Sequence, residues 1–220
     1  MADLLGIGKS GLFASKKALE ITGHNLSNVN TEGYSRQKIM QSTAIPVSTG
    51  GFIQGTGVKV DGINRISDEF IEKRLHSAVS SNKFFDARSE HLDQVEGIFN
   101  EIDSEGLNQI LNKFFNSFRE LANQPENETI RSVVRDNAGL VVKDFRRIRE
   151  SLDKQAENID GKIGTSVSEI NQILTHVADL NGKIANIEAQ QGESGDLRDQ
   201  RDLALKNLSE HFKIHTYTDE

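Results

Sequence analysis

The feature that most constrains this 220-residue chain is a helical pattern that continues without a break from residue 126 to residue 190. Its apolar residues recur in alternating steps of four and three, which is the repeat of a coiled-coil seam. After residue 168, the seam positions are Ile170, Ile173, Val177, Leu180, Ile184 and Ile187. At 1.5 Å per residue such a helix spans roughly 100 Å. The pattern predicts coiled-coil-like packing and says little about chemistry.

Four shorter helices are predicted around the long one, over about 4–29, 67–102, 104–122 and 196–212. Ser67 is the predicted N-cap of the second, in which Ile71, Ala78, Phe85, Leu92 and Phe99 form a seven-residue repeat. The third is the most apolar stretch of the chain, and we expect it at the centre of a bundle.

The segment 36–66 has no helical period. Several glycines and Pro46 interrupt it, and Val58 and Val60 alternate as in a strand, so we expect an extended arm with one or two short strands. The predicted fold is therefore mainly α, an elongated helical bundle or coiled coil with a short extended arm. The predicted division is 1–35 as an N-terminal helix with its motif, 36–66 as the arm, 67–212 as the bundle, and 213–220 as the start of a truncated β-rich domain.

The first helix carries an unusual stripe of leucines, which lie seven residues apart at Leu5, Leu12, Leu19 and Leu26. Small or polar residues such as Gly8, Gly11 and Ser15 accompany it and permit the close approach of another helix. Two interpretations remain open at this point. The helix packs on its own domain as an ordinary amphipathic helix, or partner helices from neighbouring subunits or from chain beyond this sequence cover the stripe.

Composition excludes several classes of function. The chain has no Cys, which removes disulfides, thiolate metal sites and cysteine nucleophiles. Its six His share no metal-ligand spacing, so we predict no metal. The net charge is -7, made up of +3 over residues 1–66 and -10 over residues 67–220. This acidic majority argues against nucleic-acid binding. No apolar run reaches the roughly 18 residues of a membrane span, and no basic segment precedes an apolar stretch as in a cleaved signal peptide.

The densest group of charges lies in the last helix, at Asp196, Arg198, Asp199, Arg201 and Asp202. Paired carboxylates can perform acid–base chemistry, but acidic residues also favour a helix N-terminus and pair with arginines three or four residues away. We interpret the group as solvated structural charge. No nucleophile or phosphate-loop pattern is present, so we predict no catalytic residue and no cofactor. An enzyme that uses Asp199 or Asp202 is the least supported alternative.

The segment that follows the leucine stripe carries a recognisable motif. It resembles the N-terminal motif of bacterial flagellar axial proteins, the rod, hook and hook-associated proteins, whose pattern reads N-[IL]-[AS]-N-x-x-T-x-G-Y-x-R-Q. The principal matching positions are Asn25, Asn28, Thr31, Gly33, Tyr34, Arg36 and Gln37. The motif identifies the axial class without choosing among its members.

Three later segments are similar to those of the hook-associated protein 1 family: 67–75, 114–125 and 196–203. The resemblance implies a structural protein of the junction between hook and filament, which assembles as a homo-oligomeric ring on hook protein and seats hook-associated protein 3. It also places the first helix in an inner tube. We therefore hypothesise that Leu5, Leu12, Leu19 and Leu26 form an assembly interface.

The same resemblance implies an extracellular location in the flagellum, reached through the flagellar type III export apparatus without signal cleavage. No nucleic-acid or membrane partner is expected. Two alternatives remain, namely another axial protein, such as hook-associated protein 3 or a distal rod protein, and a secreted coiled-coil effector or tip protein.

Overall fold

The computed structural model describes residues 4–49, 51–99, 106–191 and 193–217. Within these ranges the chain forms five helices and four strands. In chain order they are α1 (Leu4–Ser27), β1 (Gln37–Thr43), β2 (Val47–Thr49), β3 (Phe52–Gln54), β4 (Val58–Arg65), α2 (Glu69–Phe99), α3 (Leu107–Asn123), α4 (Glu128–Gln191) and α5 (Gly195–Ser209). The predicted fold class is confirmed, since long helices dominate and a short β-arm interrupts them.

The long helix α4 is continuous over 64 residues, as its heptad pattern predicted. Helix α2 begins differently from the prediction. The Asp68 carboxylate, not Ser67, accepts the free N–H groups of Phe70 and Ile71, at 2.9 and 3.2 Å. An Asp at this position satisfies two donors of the first turn and also interacts favourably with the helix dipole.

The arm contains more strands than the sequence predicted. Strands β1 and β4 pair antiparallel, and β2 and β3 form a second, smaller antiparallel pair between them in the chain. The ladder between β1 and β4 shifts register where Met40 faces Gly62 and Gln41 faces Val60, which leaves Asp61 as the extra residue of a β-bulge. Strand β1 was missed because its sequence lacks apolar–polar alternation, so only pairing with β4 defines it as a strand.

The chain divides into two compact units, residues 1–81 with 169–220 and residues 82–168. The buried apolar residues of the first unit come from α1, α4 and α5, and are Ala14, Ile21, Leu180, Ile184, Ala204 and Leu208. In the second unit Val134 and Ile148 of α4 are buried. The sequence-based division into four segments stays a prediction.

The predicted apolar seam of α2 faces solvent in this chain, whereas that of α3 is half-buried apart from two phenylalanines. In α2 the side chains of Ile71, Phe85, Leu92 and Phe99 are exposed, and His76 is the buried residue. In α3, which was expected at a bundle centre, Phe115 and Phe118 are exposed. Periodicity identifies an apolar face without specifying what covers it.

The last described residues, 213–217, follow α5 without regular secondary structure. The strand predicted for 213–220 falls partly outside the described residues and stays a prediction. No helix in the part of the chain that the structure describes is long and apolar enough to cross a membrane.

Candidate functional site: the junction of α1, the arm and α5

The motif residues form a junction at the end of α1, and the Asn25 side chain lies at its centre. Its amide oxygen accepts hydrogen bonds from the Gln37 backbone N–H and from the Tyr34 hydroxyl, both at 2.8 Å. Its amide nitrogen donates to the Gln37 carbonyl at 2.9 Å. A single side chain on α1 thus pairs with both backbone groups of the first residue of β1, which ties the helix to the arm.

The residues after Asn25 end the helix and turn the chain back. The Asn28 amide donates to the His24 carbonyl at 3.0 Å, and its oxygen accepts the Thr31 hydroxyl at 3.2 Å. The Thr31 carbonyl then accepts the Tyr34 N–H at 3.2 Å. Short polar side chains suit this position because they bond to free backbone groups at a helix end. The turn directs Tyr34 back toward α1, where its ring lies edge-on to His24.

Gly33 permits the close approach of this turn to α5. Its φ is +78°, a conformation that residues with a Cβ rarely adopt. A Cβ at this position would also lie 3.0 Å from the Leu203 Cβ. The requirement for glycine is therefore both conformational and steric.

The carboxylates of α5 bind the turn and the end of β4. Asp199 accepts the Ser35 N–H at 2.9 Å and pairs with the Arg65 guanidinium at 3.0 Å. Asp202 pairs with the same guanidinium at 2.6 Å. The Arg65 side chain is only 9% exposed, and Asp199 is 5% exposed. The interpretation of this charge group as solvated was wrong for Asp199, whereas Asp196 is exposed. Asp199 is buried because its partners come from residues 35 and 65, which no local spacing could indicate.

Burial works against the charged form of Arg65, but its hydrogen bonds and attraction to Asp202 and Asp199 outweigh burial and raise its pKa. The pKa of the Tyr34 hydroxyl is also raised, first by burial and then by the charges of Asp196 and Asp199. Both groups therefore keep their protons at neutral pH. The Arg65 guanidinium is therefore a permanent cation at the contact between β4 and α5.

Two further contacts connect the turn and the arm with α5. The Gln37 side-chain amide donates to Asp196 at 2.6 Å. Lys206 pairs with Glu32 at 2.8 Å on the exposed edge, where the lysine hydrogen bond lowers the pKa of Glu32. Exposed pairs of this kind contribute little, so the buried Arg65 contacts carry most of the electrostatic attachment.

A second polar cluster shapes the short connection between α4 and α5. Glu188 accepts hydrogen bonds from the Arg198 guanidinium at 2.7 and 2.6 Å and from the Ser194 N–H and hydroxyl at 2.9 and 3.0 Å. The Arg198 hydrogen bond is the largest effect on the Glu188 carboxyl, and with the Ser194 bonds it outweighs burial and lowers its pKa to about 2. This cluster fixes the start of α5, which in turn positions Asp199 and Asp202.

Most of the predicted motif residues meet in this junction. Asn25, Asn28, Thr31, Gly33, Tyr34 and Gln37 all contribute there. Arg36 is exposed, and its backbone carbonyl accepts the Ile66 N–H at 2.8 Å. Sequence reasoning missed Arg65 and Glu188. A lone arginine at a strand end and a glutamate in a long helix carry no local signal of burial.

The leucine stripe lies on a different face of α1 from the one that packs in this chain. Ala14 and Ile21 are buried, whereas Leu12 and Leu19 are 76% and 73% exposed, and Leu5 and Leu26 are similarly exposed. The structure therefore places the four leucines together on one open surface, outside the junction.

The contacts of this junction hold secondary-structure elements together. The α5 carboxylates contact the Arg65 guanidinium, a backbone N–H, the Gln37 amide and, at 3.8 Å from Asp196, the His24 imidazole. None of these contacts involves a Ser, Thr or Cys nucleophile. Among the described residues, no group of three or more His, Asp or Glu side chains could hold a metal ion. The residues join three elements of secondary structure.

Comparison with known proteins gives two family matches. The model of the flagellar hook-associated protein FlgK helical domain matches residues 92–220, and that of the flagella basal body rod protein matches residues 5–34. The second match covers α1 and the motif as far as Tyr34. No solved structure matches the chain significantly.

Three curated relatives share the name flagellar hook-associated protein 1. The protein of Bacillus subtilis strain 168 is 35% identical over 218 residues, which cover 96% of this chain and 43% of the relative. That of Salmonella typhimurium strain LT2 is 30% identical over 212 residues, covering 95% and 38%. That of Escherichia coli K12 is 29% identical over 213 residues, covering 96% and 39%. The chain thus spans about two fifths of the length of these relatives.

Proposed function

Because the chain belongs to the family of the flagellar hook-associated protein FlgK, whose helical-domain model matches more than half of it, we propose that it is a structural subunit of the junction between flagellar hook and filament. In this role it assembles with copies of itself into a ring on the end of the hook. It acts by binding neighbouring subunits and catalyses no reaction.

The observation that carries this proposal is the open leucine stripe on a helix whose far end is fixed. Helix α1 uses Ala14 and Ile21 for packing within the chain and leaves Leu5, Leu12, Leu19 and Leu26 exposed. Exposed apolar side chains in a continuous line mark a surface that another protein covers. We propose that helices of the assembled tube cover this stripe.

The proposed partners follow from the same role. They are further copies of this chain, hook protein below the ring and hook-associated protein 3 above it. The proposed location is the extracellular part of the flagellum, with the flagellar export apparatus as the route of secretion.

Deletion of the gene in the source bacterium tests the proposal. We expect cells that keep their hooks, lack filaments and release flagellin into the medium, and that recover filaments when the gene is restored. Normal filaments in the deletion strain would refute the junction role. Loss of hooks together with filaments would indicate a distal rod protein, the alternative that the rod-protein match over residues 5–34 favours.

A further inference from the structure

We propose that Arg65 is a positioning residue, which fixes the direction of the N-terminal module on α5. By N-terminal module we mean α1 with strands β1–β4. The positioning role concerns the single chain. Its consequence for assembly rests on the function proposed above, because the module carries the leucine stripe.

The N-terminal module is held together by its own contacts at two places. At one end, the Ser10 hydroxyl accepts the Val58 N–H at 3.2 Å, and Gly57, with φ of +109°, leaves room for Ser10. At the other end, Asn25 bonds to both backbone groups of Gln37. The arm is therefore fastened to α1 near the start of β4 and near the start of β1. None of these bonds involves α5.

The attachment of the module to α5 is of a different kind. Gly33 approaches Leu203 closely, and the buried polar contacts converge on Arg65, Asp199 and Asp202. Glu193, just before α5, adds a third carboxylate, 3.7 Å from the same guanidinium. Arg65 is the last residue of β4, and Asp199 and Asp202 lie on one face of α5, since positions three apart are neighbours on a helix. A guanidinium that bonds two carboxylates through different nitrogens fixes an angle as well as a distance, because its donors form a rigid planar fork.

Loss of Arg65 should therefore change the orientation of the N-terminal module on α5 more than the internal structure of the module. Asp199 would remain buried without its cation, a state that proteins relieve by moving the charge toward water. Here the relief available is a rotation of the module away from α5. The bonds of Ser10 and Asn25 would keep the module itself intact.

The absence of cysteine allows this to be measured directly. Spin labels attached at Lys16→Cys on α1 and Asn207→Cys on α5, both exposed positions, report the distance between module and helix. We expect the parent chain to give one narrow peak in the distribution of distances between the two labels. The Arg65→Ala variant should give a broadened peak. Helix content, measured by circular dichroism, should stay unchanged. Lys183→Ala is the control, because it removes an exposed ion pair with Asp179 elsewhere in the same unit and should keep the narrow peak.

A narrow peak in Arg65→Ala at the parent distance would overturn the positioning role. If Arg65→Ala loses helix content, the same two measurements are made on Asp199→Asn, which keeps the shape of the side chain and removes the charge. Retained helix content with a broadened peak supports the role, and an unchanged peak overturns it. If either variant gives a broadened peak but normal filaments in cells, the positioning role stands and only its link to assembly fails. Failure of the proposed function is thus distinguishable from failure of this inference.

Discussion

The Asn25 side chain and the Gln37 backbone form a two-way pairing, in which the amide oxygen accepts the N–H at 2.8 Å and the amide nitrogen donates to the carbonyl at 2.9 Å. The amide of Asn25 thus forms the two hydrogen bonds to the Gln37 N–H and carbonyl that a neighbouring strand would otherwise form. This explains why the motif has asparagine there, since aspartate lacks the donor and glutamine is one methylene longer.

Asn25→Ala removes both of these bonds and the bond to the Tyr34 hydroxyl. We expect it to lower the free energy of unfolding by about 2–3 kcal/mol, because it leaves part-buried backbone groups unpaired. Urea denaturation measures the change. Asn207→Ala, at an exposed position of α5, is the matched control and should change the free energy by about 0.5 kcal/mol or less. Equal effects of the two variants would contradict the role assigned to Asn25.

Gly33→Ala tests the approach of the turn to α5. We expect a loss of at least about 1–2 kcal/mol from the positive φ alone, and more from the contact with Leu203. Gly161→Ala is the matched control, since this glycine lies within α4 with no neighbour near its missing side chain. The control should gain about 1 kcal/mol from the higher helix propensity of alanine. Melting temperatures that shift in the same direction for both would exclude a special role for Gly33.

The Glu188 cluster predicts a pH dependence of stability. The pKa of Glu188 is lowered to about 2 from its ordinary value of 4.5, so its stabilising effect is fully present above about pH 4.5 and is lost as the pH falls toward about 2. Glu188→Gln should therefore be less stable than the parent at neutral pH, and the difference should shrink over that acidic window. Unfolding free energies measured from pH 7 to pH 2 provide the check. Glu157→Gln, at an exposed position of the same helix, should track the parent throughout.

The leucine stripe predicts a separation of stability from assembly. Leu12→Asp combined with Leu19→Asp should cost the single chain about 1 kcal/mol, mainly through helix propensity, because both positions are exposed. In cells, the double variant should be secreted but fail to assemble on the hook. Electron microscopy of filaments and detection of the protein in the medium measure the two effects.

Ile21→Asp is the contrasting variant on the same helix. Because Ile21 is buried, a carboxylate there should destabilise the chain itself by about 3 kcal/mol or more. Normal filaments made by the Leu12 and Leu19 double variant would refute the interface, whatever the behaviour of Ile21→Asp.

Local patterns were sufficient to predict the helices but not the faces that they bury. The heptads of α1, α2 and α4 gave the helices close to their observed ends, since periodicity and end signals act within a few residues. The seam of α2 at Phe85 and Leu92 is nevertheless exposed in this chain. Strand β1 could not be predicted for a related reason, because it becomes a strand only when β4 pairs with it.

The sequence by itself determined a long-helix protein with a β-arm and the motif of the flagellar axial class, because both are written in residues close together along the chain. Only the tertiary structure decided what the motif does. It brings Ser35 and Arg65 to Asp199, across separations of 164 and 134 residues. Asp199, which the sequence suggested lies on a solvated helix face, is therefore buried between α5 and the arm. Such pairings depend on where the whole chain folds back, and no spacing along the sequence encodes that geometry.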